Sequence, residues 1–190
     1  MRKVIVSMNV TLEGFMAGPA CELDWHFQSW TEDMAQSAAE QLSLADTILL
    51  GRVTYNAMAA YWPSQINSSC FPRDDMPFAD MMNQYTKVVF SKTIARASWH
   101  NSRLVNGDIS HEITRLKAQP GKHLIVYGSG SIATFLTKAD LVDEYHIWVH
   151  PVVLGKGKSF FKELSDQRRL TFTGTRQFSS GVVLLIYQAT

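Results

Sequence analysis

The chain has 190 residues, 46% of them hydrophobic, and its acidic and basic side chains nearly cancel to a formal charge of +1 at pH 7. That length and apolar content allow one domain with a substantial core, and the near-zero charge excludes a global field drawing the protein to nucleic acid or a membrane surface. Cys21 and Cys70 are too few and too far apart for a disulfide framework or a metal knuckle, which points to a reducing, cytoplasmic setting. Asn9 and Glu13 interrupt any signal-peptide core, and no apolar run approaches the roughly 20 residues that span a bilayer.

Lys3 to Val10 reads as a first strand, followed by the unusually apolar loop Thr11-Leu12-Glu13-Gly14-Phe15-Met16-Ala17-Gly18-Pro19. Thr31 precedes a helix predicted from Glu32 to about Leu44, with Ala35, Ala38, Ala39 and Leu42 along one face. A short strand, Thr47 to Leu50, leads through Gly51-Arg52-Val53-Thr54 into a helix expected over Tyr55 to Tyr61 and stopped by Pro63. Pro63 to Phe78 is rich in turn-forming residues and is placed on the surface. Lys87 to Phe90 is a strand opening onto Ser91-Lys92-Thr93, and Asp108 to Ala118 has helical spacing. The strand His123 to Tyr127 runs into Gly128-Ser129-Gly130-Ser131 and a short helix, Ile132 to Lys138. Leu141 to Val149 is a long strand, and Leu170 to Phe178 and Val182 to Gln188 flank the tight turn Ser179-Ser180-Gly181. Alternating strands and helices, then strands alone, predict an α/β fold of three layers. Its central sheet is mixed and mostly parallel, with an antiparallel C-terminal edge and flanking helices.

Three loops fit the carboxyl edge of such a sheet, where ligands collect. Gly51-Arg52-Val53-Thr54 brings backbone N–H groups, a hydroxyl and a guanidinium to a helix start, chemistry suited to a phosphate. Ser91-Lys92-Thr93 adds two hydroxyls and an ammonium. The glycines of Gly128-Ser129-Gly130-Ser131 let a pyrophosphate approach the backbone. Taken singly, the first two loops read more readily as ordinary turns and the third equally as a turn or a phosphate loop; three at successive strand ends are a stronger signal. Gly128-x-Gly130-x-x-Ala133 also satisfies a loose Rossmann fingerprint, but it comes late in the chain and antiparallel strands follow it, which argues against that unit.

These segments, with Val10 to Ala17 and His150-Pro151-Val152-Val153-Leu154-Gly155-Lys156-Gly157, resemble in order and spacing the dihydrofolate reductase superfamily. They are most similar to the reductase domain of riboflavin biosynthesis, the RibD C-terminal type, as a stand-alone member over nearly the whole chain. The resemblance implies NADPH bound across the sheet, with Gly51, Arg52 and Thr54 near its phosphates and Ser91, Lys92 and Thr93 near the 2′-phosphate. It places Gly128, Ser129, Gly130, Ser131 and Ile132 at the pyrophosphate, and Val10 and Ala17, flanking the first loop, near the nicotinamide. The implied activity is hydride transfer to a small, planar heterocyclic or carbonyl or imine substrate, in a homodimer. No nucleic-acid or membrane partner is expected. Dihydrofolate reductases proper carry a pterin-binding carboxylate at the first long helix; Asp24, Glu32 and Asp33 lie nearby, none in a clear motif. The 190 residues contain no His-x-Glu followed by Pro-Cys-x-x-Cys, the signature of the companion deaminase.

Asp24 is the candidate to guide a proton to the substrate, set against a structural role as a turn cap. Trp25, Phe27, Trp30, Tyr61 and Trp62 are candidate walls of an aromatic substrate pocket, set against core packing. The six histidines show no metal spacing and read as structural or solvated. A non-catalytic nucleotide-binding module on the same fold is the alternative reading.

Overall fold

The computed structural model describes residues 1–65, 76–162, 164 and 166–190. Its strands are β1 (Val4–Thr11), β2 (Phe15–Ala17), β3 (Ala45–Gly51), β4 (Thr86–Phe90), β5 (Ser102–Val105), β6 (His123–Tyr127), β7 (Glu144–His150), β8 (Lys158–Ser159), β9 (Leu170–Gln177) and β10 (Val183–Ala189). Its helices are α1 (Asp24–Phe27), α2 (Glu32–Ser43), α3 (Arg52–Gln65), α4 (Met76–Gln84), α5 (Ile109–Lys117) and α6 (Gly130–Lys138).

Eight strands form one sheet in the order β5-β4-β3-β6-β1-β7-β10-β9. Pairing is parallel from β5 to β7, and β10 runs antiparallel to both β7 and β9. The sheet is thus mixed and mostly parallel with an antiparallel C-terminal edge, as expected. Val4, Val6, Met8 and Val10 pack one face against Ile113 and Leu116 of α5 and Ile132, Ala133 and Leu136 of α6. The opposite face meets α3 and α4 through Ile5, Ile48, Leu50 and Ile125, and meets α2 through Trp148 and Leu184. Helices on both faces are why β1, β3 and β6 read as continuous apolar runs.

Buried polar groups lock α2 to this sheet. Gln41 accepts hydrogen bonds from Ser7 Oγ (2.7 Å) and Tyr127 OH (3.2 Å) and donates to His146 Nδ1. His146 donates from Nε2 to Glu144, and Trp148 Nε1 donates to Ser7 Oγ. Each member has a partner, so the network orients the helix without stranding a polar group.

Several elements depart from the sequence reading. The helix expected over Tyr55–Tyr61 starts at Arg52, directly after Gly51, and continues past Pro63 to Gln65. Pro63 removes one helical hydrogen bond without ending the last turn. Part of the expected surface segment Pro63–Phe78 is helical, because α4 begins at Met76; residues 66–75, with Cys70, lie outside the described residues. The strand expected from Leu141 starts at Glu144. The short elements α1, β2, β5 and β8 went unanticipated, since they form by pairing with distant segments rather than from local pattern. No helix among the described residues is long and apolar enough to cross a membrane.

Lys87 is fully buried at the start of β4, where Nζ donates to the carbonyls of Met82 (3.1 Å) and Asn83 (2.6 Å) and lies 4.4 Å from the Trp99 ring centroid. It caps the C-terminal end of α4, the negative pole of the helix dipole. Burial depresses its pKa from 10.5 to about 8. Above about pH 8 the unfolded chain therefore binds a proton that the folded chain has released, so stability rises with pH over that interval. Urea unfolding at pH 8 and pH 9.5 should show wild type gaining stability relative to Lys87→Met, the tyrosines being common to both proteins; parallel curves for the two proteins would remove this assignment.

Candidate functional site

The carboxyl ends of β3, β6, β1 and β7 lie side by side, and the chain leaves the first two directly into α3 and α6. The two exits are cross-linked. The Gly51 N–H donates to Ser129 Oγ at 2.8 Å, and the Ser129 N–H donates to Thr54 Oγ1 at 3.1 Å. Gly128 turns the chain with φ +62, and Ser129, with φ 11 and ψ 62, stands buried just before α6. The side chains of Ser129 and Thr54, expected at a phosphate, are thus engaged in bracing the two loops against each other. The backbone N–H groups of Gly130 and Ser131, the first of α6, have no intrahelical acceptor and are the donors this crossing presents.

Arg52 and Lys92 are exposed and make no ion pair among the described residues. They follow neighbouring strands, since Gly51 pairs with Phe90. Ser91 Oγ accepts from the backbone N–H groups of Thr93 and Ile94, both at 3.1 Å, which fixes that loop. The segments 51–65, 86–107 and 123–139 contain no Asp or Glu. Two helix N-termini and two unpaired cations without a nearby carboxylate in sequence form a donor set that fits a phosphorylated nucleotide.

The first loop is tied down at several points. Leu12 N–H donates to Val152 O, Phe160 N–H donates to Gly14 O, and Glu13 accepts from the N–H groups of Leu154 and Gly155. Antiparallel pairing of β2 with β8 continues the tether through Ala17. Val10 and Ala17 are buried. Met16 reaches across to α6, so that a Cβ at Gly130 would run into its sulfur and methyl group.

Beyond β1 the edge becomes aromatic. Trp25 is buried, its ring 5.3 Å from that of His150, while Trp30 lies 6.3 Å from Trp148, which stacks on Phe178. Phe27 is 65% exposed, so it fronts solvent rather than a closed wall. Tyr61 and Trp62 sit apart from these, on α3, where Trp62 packs on Phe78. The structure thus divides the expected pocket residues between two clusters. Asp24 opens α1 and is exposed, rather than lying in a loop. Asp33 is engaged elsewhere: it accepts from Thr31, Met34 and Ser179, joining α2 to the β9–β10 turn.

His150 was read only as structural or solvated, yet it lies fully buried at this edge with Nε2 2.9 Å from Asn9 Oδ1. Burial drives its pKa from 6.5 down to about 4, and the adjacent His26 adds to the shift. Burial also lowers His26 and His146. The available sequence signal was phase: His146 and His150, four apart in one strand, share the face of Trp148. A depression of about 330 Å³ lined by Asp140, Gln167, Arg168, Arg169 and Thr190 lies at the opposite edge, remote from these loops.

Comparison with known proteins bears on the family and the fold. The family model described as the RibD C-terminal domain matches residues 2–184. The chain is 33% identical over 186 residues to the uncharacterized protein YyaP of Bacillus subtilis (strain 168), covering 98% of this chain and 94% of that protein. It superposes on a Thermotoga maritima diaminohydroxyphosphoribosylaminopyrimidine deaminase/5-amino-6-(5-phosphoribosylamino)uracil reductase with TM-score 0.68 at 14% identity, over 100% of this chain and 57% of that one. It is also similar to Enterococcus faecalis dihydrofolate reductase complexed with NADP(H) and RAB-propyl, with TM-score 0.61 at 13% identity over 99% and 96% of the two chains. The fold is dihydrofolate reductase-like.

Two outcomes follow for the site. Ser129→Ala leaves the buried Gly51 N–H without its acceptor and should cost about 1–3 kcal/mol in urea unfolding; an unchanged midpoint would show that the crossing does not hold the loops. Buried His146 and His150 and the partly buried His26 bind protons more weakly folded than unfolded, so stability should fall as pH drops from about 6.5 toward about 4. His150→Asn should flatten part of that fall, and an unaltered pH profile would count against a buried neutral imidazole.

Proposed function

The chain belongs to the RibD C-terminal domain family, and on that premise we propose that it is an NADPH-dependent reductase acting on a small, planar heterocyclic or imine or carbonyl substrate. The observation that carries this reading is the braced meeting of β3–α3 with β6–α6, with two helix starts and Arg52 at adjacent strand ends. The cofactor, when bound, supplies a hydride at the nicotinamide ring.

The chain's own residues have separable tasks. Gly130 and Ser131 offer backbone N–H groups to the pyrophosphate, beside Gly128 and Ile132, while Gly51, Ser129 and Thr54 hold the two loops at fixed separation. Arg52 and Lys92, with the Ser91–Thr93 turn, meet the 2′-phosphate. Val10 and Ala17 border the nicotinamide side, where the tethered first loop excludes water. Trp25, Phe27, Trp30 and Trp62 supply aromatic surface for a planar substrate. Asp24, exposed at the start of α1, guides a proton through solvent. The assembly we propose is a homodimer, by family analogy.

Titration with NADPH and with NADH at fixed salt, followed by tryptophan quenching, tests the reading. NADPH should bind at least roughly tenfold tighter, equivalent to about 1.4 kcal/mol, and Arg52→Ala should erase most of that preference. Failure of both nucleotides to bind would defeat the proposal. Binding without turnover of quinones, pterins, imines or sugar-amine pyrimidines would favour a nucleotide-binding module instead.

A further inference from the structure

Among the described residues, two of the four buried side-chain polar atoms that make no hydrogen bond are His26 Nδ1 and His150 Nδ1, in rings whose centroids are 6.0 Å apart. The contrast with His146 on the same strand is instructive. His146 has a partner at both nitrogens, Gln41 and Glu144, whereas His150 has one, Asn9 Oδ1. That acceptor assigns the proton to His150 Nε2 and leaves a lone pair on Nδ1. A core that satisfies one imidazole completely and half-satisfies another, at the carboxyl edge where the family's ligand loops converge, marks the second as a binding group.

What covers His150 is lightly attached. Trp25 stands edge-on to it at 89°, on a helix of four residues. The hydrogen bonds recorded for residues 22–30 run only to partners within 18–30, including Trp25 Nε1 to Glu22 O and Ser29 N–H to His26 O. Displacing α1 therefore breaks no hydrogen bond to the sheet among the described residues, and because Trp25 and His26 both belong to α1, it uncovers His150.

We infer that His150 is a specificity-determining residue of the substrate site: its Nδ1 accepts a hydrogen bond from a ring N–H or amino group of a planar heterocycle that enters beside Trp25. Asn9 is the positioning residue that holds the accepting tautomer. A neutral acceptor in a buried aromatic setting selects against ligands that present only carbonyl, ether or carboxylate oxygens there, because two acceptors would face each other. The inference rests on the reductase reading for calling the ligand a substrate; the recognition chemistry stands on the imidazoles themselves.

Two pyrimidines of similar shape separate the possibilities: 2-aminopyrimidine, which carries N–H donors, and 2-methoxypyrimidine, which carries none. Both are titrated into full-length protein labelled with nitrogen-15 at histidine, with and without NADPH. The expected result is binding of the amino compound at least about fivefold tighter, an upfield move of the His150 Nδ1 resonance with His146 unmoved, and quenching of Trp25 emission. His150→Asn, whose amide reaches the Nδ1 position, should keep much of the preference, and His150→Phe should abolish it. Should His150→Phe fail to fold, the wild-type resonance and His150→Asn still decide. Equal affinity for the two probes, an unmoved His150 Nδ1 resonance, or a buried water bonded to Nδ1 that neither probe displaces would overturn the inference. The same samples titrated with NADPH keep the two readings apart: loss of NADPH binding alone removes the reductase assignment, while loss of the amino preference alone removes the role of His150.

Discussion

Two strand-to-helix crossings meet at the candidate site, and two hydroxyls, those of Ser129 and Thr54, tie them together. The starts of α3 and α6 bring partial positive charge to adjoining strand ends, an arrangement that disfavours itself without a counter-charge. Ser129 Oγ, accepting from Gly51 N–H, and Thr54 Oγ1, accepting from Ser129 N–H, satisfy the backbone donors of two buried residues and fix the distance between the loops. The remaining donors at the start of α6 then face the crevice at fixed positions. In the proposed reductase reading, the donors offered to the cofactor's phosphates are thus positioned by side chains that need not touch the ligand.

Much of the scaffold was legible because its burial is simple. β1, β3, β4 and β6 are covered on both faces, so their apolar runs need no partner to be recognised, and the helices packed on them contribute apolar residues to the same clusters. What escaped had no such local mark. β5, Ser-Arg-Leu-Val, is half polar and exists because Lys87 to Phe90 offers it an edge. The two residues of β8 are strand only through pairing with the first loop. α4 follows a polar stretch, and Asn83, which reads as a turn former, is instead buried, bonded to the carbonyls of Trp62 and Ala79 and to Trp99.

The same division runs through the site. The glycine loops and the exposed cations announce themselves by residue type, because phosphate chemistry has few solutions. The roles of their hydroxyls were not legible: nothing in Gly128-Ser129-Gly130-Ser131 says which serine turns inward, and that choice is made by the proximity of Gly51. His150 was hidden for a similar reason. A lone histidine carries no spacing signal, and its significance arises from Asn9, two strand positions before Thr11, the residue with which His150 itself is paired.

The carboxyl edge consequently has two electrostatic halves. Around β3, β4 and β6 the segments carry Arg52, Lys92 and helix N-termini with no acid in sequence reach, a region that stabilises negative charge. Around β7 the lining is aromatic and its imidazoles are held neutral by burial. A charged group placed in the second half is desolvated without a compensating ion, while an uncharged ring retains its stacking and its hydrogen bonds. The proposed reductase reading accordingly sets the anionic end of its cofactor over β3 and β6 and an uncharged ring over β7. The boundary falls at β1, whose residues Asn9 and Val10 face opposite sides of the sheet.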